Sequence, residues 1–415
     1  MMHGKNKTWL LFLLLLFSCA THGNEESGDL NYITGVKVLS HPVDEVKIDN
    51  FRRTIELFFE HADDLDNMEL EFILANDARM VQPQSTRALF DLTGKQLIQV
   101  EKNNQIVSYS IVSIIRSSSF PLSAEEWEQQ KGYGDMPDYL ALFKYRKDLP
   151  EKQVNAYVAV ADIKPGKGSF KVLGEKTGSS ATPAQFYSQQ SQPRALLNGG
   201  YFWSGNSLGL IIRDGVTIVH AQPVVNRSYN GVQTPYHPTQ GAFGSEHDGT
   251  FTARWVYESN RSLYSYPAPA PNVAGEMPLP VPSSSFPEGA AAWEPNHAIG
   301  AGPLLIKDGK YQNQWLHELF DASSGVGPTA SHPRSAIAYH PGGFLLFFVC
   351  EGRNKTPNTP GMTLREVADI LLATGCTQAI NLDGGGSSCL LVNGKETILP
   401  SDGKQRAITN MVAIY

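Results

Sequence analysis

Beyond residue 200 the chain repeatedly sets a two-residue turn between short apolar runs: Asp214-Gly215, Asp248-Gly249, Asp308-Gly309, Gly342-Gly343 and Asn393-Gly394. Such dipeptides tolerate the positive φ angles of tight hairpins, so a chain punctuated this way folds chiefly as antiparallel strands. The 37 glycines and 26 prolines agree with many turns and short strands. Two helices are expected to interrupt the pattern. Thr182-Pro183-Ala184-Gln185 and Thr363-Leu364-Arg365-Glu366 each place Gln or Glu three residues after a hydroxyl, which is the capping-box arrangement. Val367, Ile370 and Leu371 then give the second helix an apolar face, and Gly375 closes it. A shorter helical candidate lies around Ala124 to Gln130.

A chain of 415 residues exceeds what one core usually organises, so two folded units are expected. From 31 to 115, runs such as Thr54–Phe58, Glu69–Leu74, Leu97–Val100 and Ile106–Val112 alternate apolar and polar residues, as half-buried strands do. This predicts a small all-β, sandwich-like accessory domain. Residues 116–137 read as a linker, and 138–415 as a second, strand-rich mixed α+β domain with strands at Leu140–Tyr145 and Asn155–Ala161. The Pro- and Ala-rich stretch from Tyr264 to Pro295 is expected to run over the surface near the site.

At the N-terminus Lys5 and Lys7 precede an apolar run from Trp9 to Phe17, the form of a signal peptide over residues 1–19. That run is about half the ~20 residues a membrane-crossing helix needs. Leu16-Phe17-Ser18-Cys19 resembles a bacterial lipoprotein cleavage box, so Cys19 is the expected acylation site. Residues 20–30 then form a small, polar tether. These features place the protein in the cell envelope, held to the membrane by lipid. The remaining Cys350, Cys376 and Cys389 have no metal-ligand spacing; a Cys350–Cys389 disulfide and three buried thiols both fit. A net charge of -7 gives no support to nucleic-acid binding.

The residues richest in chemistry sit at strand ends. In Asn381-Leu382-Asp383-Gly384-Gly385-Gly386-Ser387-Ser388 a buried strand runs into an acid and three glycines, whose amides can form an anion-binding concavity with Ser387 adding a hydroxyl. Asn198-Gly199-Gly200 ends another apolar strand, and the aromatics Tyr201, Phe202 and Trp203 that follow offer faces to sugar C–H surfaces. Arg334 and Arg353 each border an apolar strand, where the planar guanidinium suits two oxygens of a phosphate. His332 stands two residues before Arg334; a histidine before proline is more often structural than catalytic.

Taken in order, Asn198–Phe202, Ile299–Gly309, His332–Ala338, Glu351–Arg353, Gly361–Gly375 and Asn381–Ser388 resemble the phosphodiester glycosidase family from about Asp138 to Tyr415. The resemblance implies a hydrolase that cleaves the glycosyl–phosphate bond of an α-N-acetylglucosaminyl or related sugar phosphodiester, releasing sugar and a phosphomonoester. It carries the catalytic role to Asp383 and Glu351. Binding of sugar and phosphate falls to Asn198, Gly199, Gly200, Arg334, Arg353, Gly384, Gly385, Gly386 and Ser387. No cofactor or metal is implied. The family commonly has Asp-Gly-Arg where this chain has Glu351-Gly352-Arg353, which moves the carboxylate out by one methylene. Two other readings of the same residues are a metal-dependent phosphodiesterase that breaks P–O, with Asp383 and Glu351 as ligands, and a non-catalytic glycan-binding surface lipoprotein.

Overall fold

The computed structural model describes residues 31–43, 45–59, 65–115, 120–175 and 180–415. The expected export leader, Cys19 and the whole of the tether lie outside them. The chain divides after Ser113 into two compact units.

The N-terminal unit holds two antiparallel sheets. One has the order Ile33–Val38, Met68–Leu74, Arg87–Phe90; the other runs Glu45–Asp49, Thr54–Phe59, Gln105–Ile115, Gln96–Lys102, Ala78–Gln82. Side chains alternate across a strand, and the sequence obeys that period: Ile98 and Val100 are buried while Leu97 is exposed, and Leu70 and Phe72 are buried while Ile73 is exposed.

The C-terminal unit is built on three antiparallel sheets. The largest has eight strands in the order Lys310–Tyr311, Leu304–Lys307, Gln378–Asn381, Arg334–His340, Phe344–Cys350, Ala156–Asp162, Leu140–Tyr145, Trp127–Gln129. A five-stranded sheet contains Ala195–Asn198 between Asn410–Ile414 and Leu390–Val392, and a seven-stranded sheet contains Gln240–Ser245 beside His297–Ala301. All three feed one core, in which Phe347 and Ile337 meet Leu197, Val412, Phe243 and Ile299. Helix α2 (Leu364–Ala373) covers the other face of the large sheet through Val367 and Leu371, against Ala336 and Phe348. Phe344–Cys350 is therefore buried at every position, which explains an uninterrupted apolar run where half-buried strands alternate.

All five turn dipeptides close hairpins, and Asp214, Asp308 and Asn393 adopt the positive φ expected of them. Both capping boxes form, at helix α1 (Pro183–Gln189) and helix α2. These two short helices are the only α-helices among the described residues, so the unit is mostly β rather than a balanced α+β fold. The candidate helix at Ala124–Gln130 is instead a turn followed by the edge strand Trp127–Gln129, which pairs with Phe143–Tyr145. Phe120 and Leu122 also pack on the core of the large sheet, so much of the stretch read as a linker belongs to this unit. Cys350, Cys376 and Cys389 are buried free thiols. No helix among the described residues is long and apolar enough to cross a membrane.

At the start of α2, Glu366 accepts from Thr363 N at 2.7 Å while Thr363 Oγ1 accepts from Glu366 N at 3.2 Å. Thr363→Ala should lower stability by about 1 kcal/mol, read as a reduced midpoint in urea at unchanged slope.

Candidate active site

Strand register gathers the site. Arg334 pairs with Cys350 across one hairpin, and Ala336 pairs with Asn381 on the neighbouring strand. All three strands run antiparallel, so Arg334, the turn after Cys350 and the loop after Asn381 emerge at one edge. The five-stranded sheet delivers Asn198-Gly199-Gly200 to the same place. Asn198 Nδ2 donates to the Asp383 carbonyl at 2.6 Å, and Asp383 N donates to the Gly199 carbonyl at 3.0 Å.

Asp383, Arg334, Arg353, His332 and Gly384–Gly386 share a cavity of about 210 Å3, joined by Tyr201, Asn381 and Arg406. Arg334 is almost wholly buried and is held entirely by carbonyls: Nε by Met362 at 2.9 Å, Nη1 by Val326 at 2.9 Å, and Nη2 by Gly327 at 2.6 Å and Ala330 at 2.8 Å. Among the described residues no carboxylate lies within ion-pair distance of it. Burial pulls its pKa below the usual arginine value, yet a guanidinium stays charged. Its charge is thus left to the cavity.

Arg353 and Arg406 are organised by one acid. Asp402 Oδ1 accepts from Arg353 Nη1 at 3.0 Å and Asp402 Oδ2 from Arg406 Nη2 at 2.6 Å. Three guanidiniums against Asp402 and Asp383 leave the cavity with positive excess. Burial pushes the Asp383 carboxyl up to about 6, although the Ser387 hydroxyl, the Arg406 charge and the Gly384 amide all favour its charged form. Burial and the nearby Arg334 and Arg353 hold His332 below the usual histidine value, so its imidazole is neutral at neutral pH. Asn381 is buried with Nδ2 donating to Tyr201 Oη and the Gly302 carbonyl, while its Oδ1 has no partner.

Several expected roles change on this geometry. Glu351 does not line the cavity; its carboxylate accepts from Thr356 N at 2.6 Å, Asn155 Nδ2 at 3.0 Å and Leu399 N at 3.2 Å. It ties the turn carrying Arg353 to the loop leading to Asp402, and with every near donor taken it is a positioning residue. Asn198 is likewise spent, since its Oδ1 accepts from Ser335 Oγ at 2.6 Å and Cys389 N at 3.1 Å. Gly199 and Gly200 serve close packing: a Cβ on either would meet Asn410 Oδ1 at 2.0 Å or the Gly300 carbonyl at 2.2 Å. Ser387 bridges Arg406 to Asp383 rather than lining the cavity.

The glycine run also works differently from an amide nest, because the Gly385 amide donates inward to Pro333 at 2.9 Å. Its use is room for arginine. A Cβ on Gly385 would lie 2.8 Å from Arg353 Nη2, and one on Gly386 would lie 2.1 Å from Arg406 Nη2 and 2.0 Å from Asp402 Oδ2. Sequence reasoning missed Arg406 and Asp402; the signal available was an acid and an arginine four residues apart in a loop, which has no meaning until the glycines face it. The surface excursion between Tyr264 and Pro295 lines neither this cavity nor the one beside it. Asp383 and Glu351 do not converge, and among the described residues no cluster of three His, Cys, Asp or Glu is placed to hold a metal ion.

A recessed carboxyl pushed up to about 6 by burial shares this cavity with three guanidiniums, an arrangement suited to an anion. Residues 191–415 match the family model described as phosphodiester glycosidase, and the chain belongs to that family. A Bacillus subtilis protein called SPbeta prophage-derived uncharacterized protein YomE is 33% identical over 118 residues, which are 28% of this chain and 17% of that one. Human N-acetylglucosamine-1-phosphodiester alpha-N-acetylglucosaminidase is 39% identical over 69 residues, 17% of this chain and 13% of that one. The matched segments thus span less than a fifth of either relative. Among solved structures, the zebrafish enzyme of the same name, its catalytic domain auto-inhibited by a pro-peptide, aligns at 20% identity and a TM-score of 0.45, covering 70% of this chain and 88% of that one. A hypothetical protein from Synechocystis aligns at 15% identity and a TM-score of 0.46, covering 84% of this chain and 74% of that one.

Gly386→Ala should displace the Asp402–Arg406 pair while leaving the sheets intact. Inorganic phosphate affinity is expected to fall by roughly tenfold or more, with far-UV circular dichroism unchanged.

Proposed function

We propose that the chain hydrolyses glycosyl phosphodiesters, breaking the bond between the anomeric carbon and the phosphate oxygen and leaving a free sugar and a phosphomonoester. The observation that carries this reading is the placement of Asp383 among Arg334, Arg353 and Arg406 in one recess. A phosphodiester carries one negative charge and the departing phosphomonoester gains a second. Preorganised guanidiniums stabilise that gain more than they stabilise the ground state, which is what accelerates the step. Phosphate is already a good leaving group, so little protonation of the leaving oxygen is needed. One carboxylate then suffices: Asp383, ionised above pH 6, draws a proton from the attacking water or faces the positive charge growing at the anomeric carbon. Asn381 Oδ1, buried and unpartnered at the cavity wall, is ready to accept from that water or from a sugar hydroxyl. The family membership and the human relative's printed name support N-acetylglucosamine as the sugar, joined in an α linkage.

Asp383→Asn should abolish turnover of an α-N-acetylglucosaminyl methyl phosphate while inorganic phosphate still binds; near wild-type activity in that variant removes Asp383 from the chemistry. Hydrolysis in oxygen-18 water is expected to label the sugar, whereas label in the phosphate would mean P–O cleavage instead. Because burial raises the Asp383 pKa, the catalytic carboxylate is present above about pH 6 and is lost as the pH falls through that value. The rate at low substrate should therefore drop about tenfold per pH unit below 6, and a flat profile between pH 4 and 7 would count against this assignment.

A further inference from the structure

A second cavity, of about 380 Å3, adjoins the arginine-lined one and shares Tyr201, Ser324 and Val326 with it. Phe202, Trp203 and Phe320 contribute to its walls. Trp203 is 77% exposed, on a two-stranded turn whose Ser204 and Gly205 both have positive φ. An exposed indole held at the lip of a cavity offers a flat apolar face to a ring that enters.

Glu318 also lines this cavity and is only 5% exposed. Its Oε1 accepts from Leu304 N at 3.1 Å, while Oε2 is inaccessible to solvent and has no partner. The Trp255 indole N–H and the Gly241 amide lie near enough, with that of Leu304, to favour the charged carboxyl, but no well-formed hydrogen bond reaches Oε2. The backbone holds Glu318 in place at a cost. Leu319, the next residue, is buried with φ of 60°, a conformation that a branched side chain resists. Arg227 reaches across to bind the Leu319 carbonyl at 2.8 Å and Asp321 Oδ2 at 2.6 Å, and it lines the same cavity. Strain next to an orphaned buried oxygen is a pattern found where a ligand completes the contacts.

Burial raises Glu318 to about 8, so at neutral pH the group is a neutral acid able to donate. The other titratable and charged groups in this wall are Tyr201 and Arg227, the latter paired with Asp321 behind it, and His317 is the neighbour in sequence. Burial keeps Tyr201 protonated, and its hydroxyl is committed to the Gly302 carbonyl at 2.6 Å.

Resting on the function proposed above, we propose that this cavity receives the glycosyl part of the substrate, with the sugar ring on Trp203, and that Glu318 selects the sugar by donating its Oε2 hydrogen to an acceptor oxygen on a ring substituent. A sugar lacking that acceptor forgoes the hydrogen bond and binds more weakly.

The test uses N-acetylglucosamine and inorganic phosphate as separate probes, titrated into the full chain and its variants. Trp203→Ala, a change at an exposed position, and Glu318→Leu should each weaken N-acetylglucosamine binding by roughly tenfold or more while phosphate binding stays within about twofold. Glu318→Gln, which keeps a donor at the same place, should bind the sugar within about threefold of wild type at pH 7. The wild type should lose sugar affinity as the pH rises from 7 to 9, and the Gln variant should not. Sugar binding indifferent to Trp203→Ala, or a Gln variant with the wild-type response to pH, overturns the proposal. Failure to cleave any glycosyl phosphodiester would sink the hydrolytic reading alone, since the sugar titrations judge Glu318 without turnover.

Discussion

The Arg334 guanidinium sets the terms for the rest of the site. It is buried, it is bound on several sides by carbonyl dipoles, and among the described residues no carboxylate neutralises it. Carbonyls can orient a cation, but they cannot cancel its charge, so the field reaches into the adjoining cavity. The same four contacts fix the loop from Val326 to Ala330 and the chain at Met362, which closes one side of that cavity. One side chain therefore supplies both charge and wall.

Around that fixed charge the structure separates groups that face the ligand from groups that hold them. Asp383 and the three arginines form the first set. Asn198, Glu351, Ser387 and Asp402 form the second, each with its polar atoms committed to neighbouring groups of the protein. The division has a physical reason: a guanidinium at partial exposure wanders unless a carboxylate takes one edge of its fork. Asp402 does this for two arginines at once: it takes Nη1 of Arg353, and it takes Nε and Nη2 of Arg406, whose Nη1 goes to Ser387.

Much of this architecture was legible from the sequence because it rests on local rules. Turn dipeptides marked the hairpins, capping boxes marked both helices, and an acid followed by three glycines marked the cavity floor. What escaped were relations made only by folding. Glu351 resembled a catalytic acid because its neighbours in sequence fit that role, but its donors come from Asn155, Thr356 and Leu399. Arg406 lies in a loop four residues before the strand Asn410–Ile414, and nothing in that loop marks it as facing the glycines. Glu318 sits between Trp315-Leu316 and Leu319-Phe320, and nothing local reveals that it is buried. The glycines themselves were read as anion-binding amides, whereas their smallness is what the arginines need.

Arg334 and the turn bearing Arg353 leave the two strands of a single hairpin side by side at its open end, the strands being joined through the His340 to Phe344 connection. Their separation is thus a property of strand alignment. A slip of two residues in that pairing would keep every buried face buried, yet it would carry one guanidinium about 7 Å along the sheet and empty half the recess. Natural variation in chain length should accordingly be tolerated at the Pro341–Gly343 bend and be absent from the two strands themselves, where a matched insertion would leave the molecule folded but without a place for its ligand.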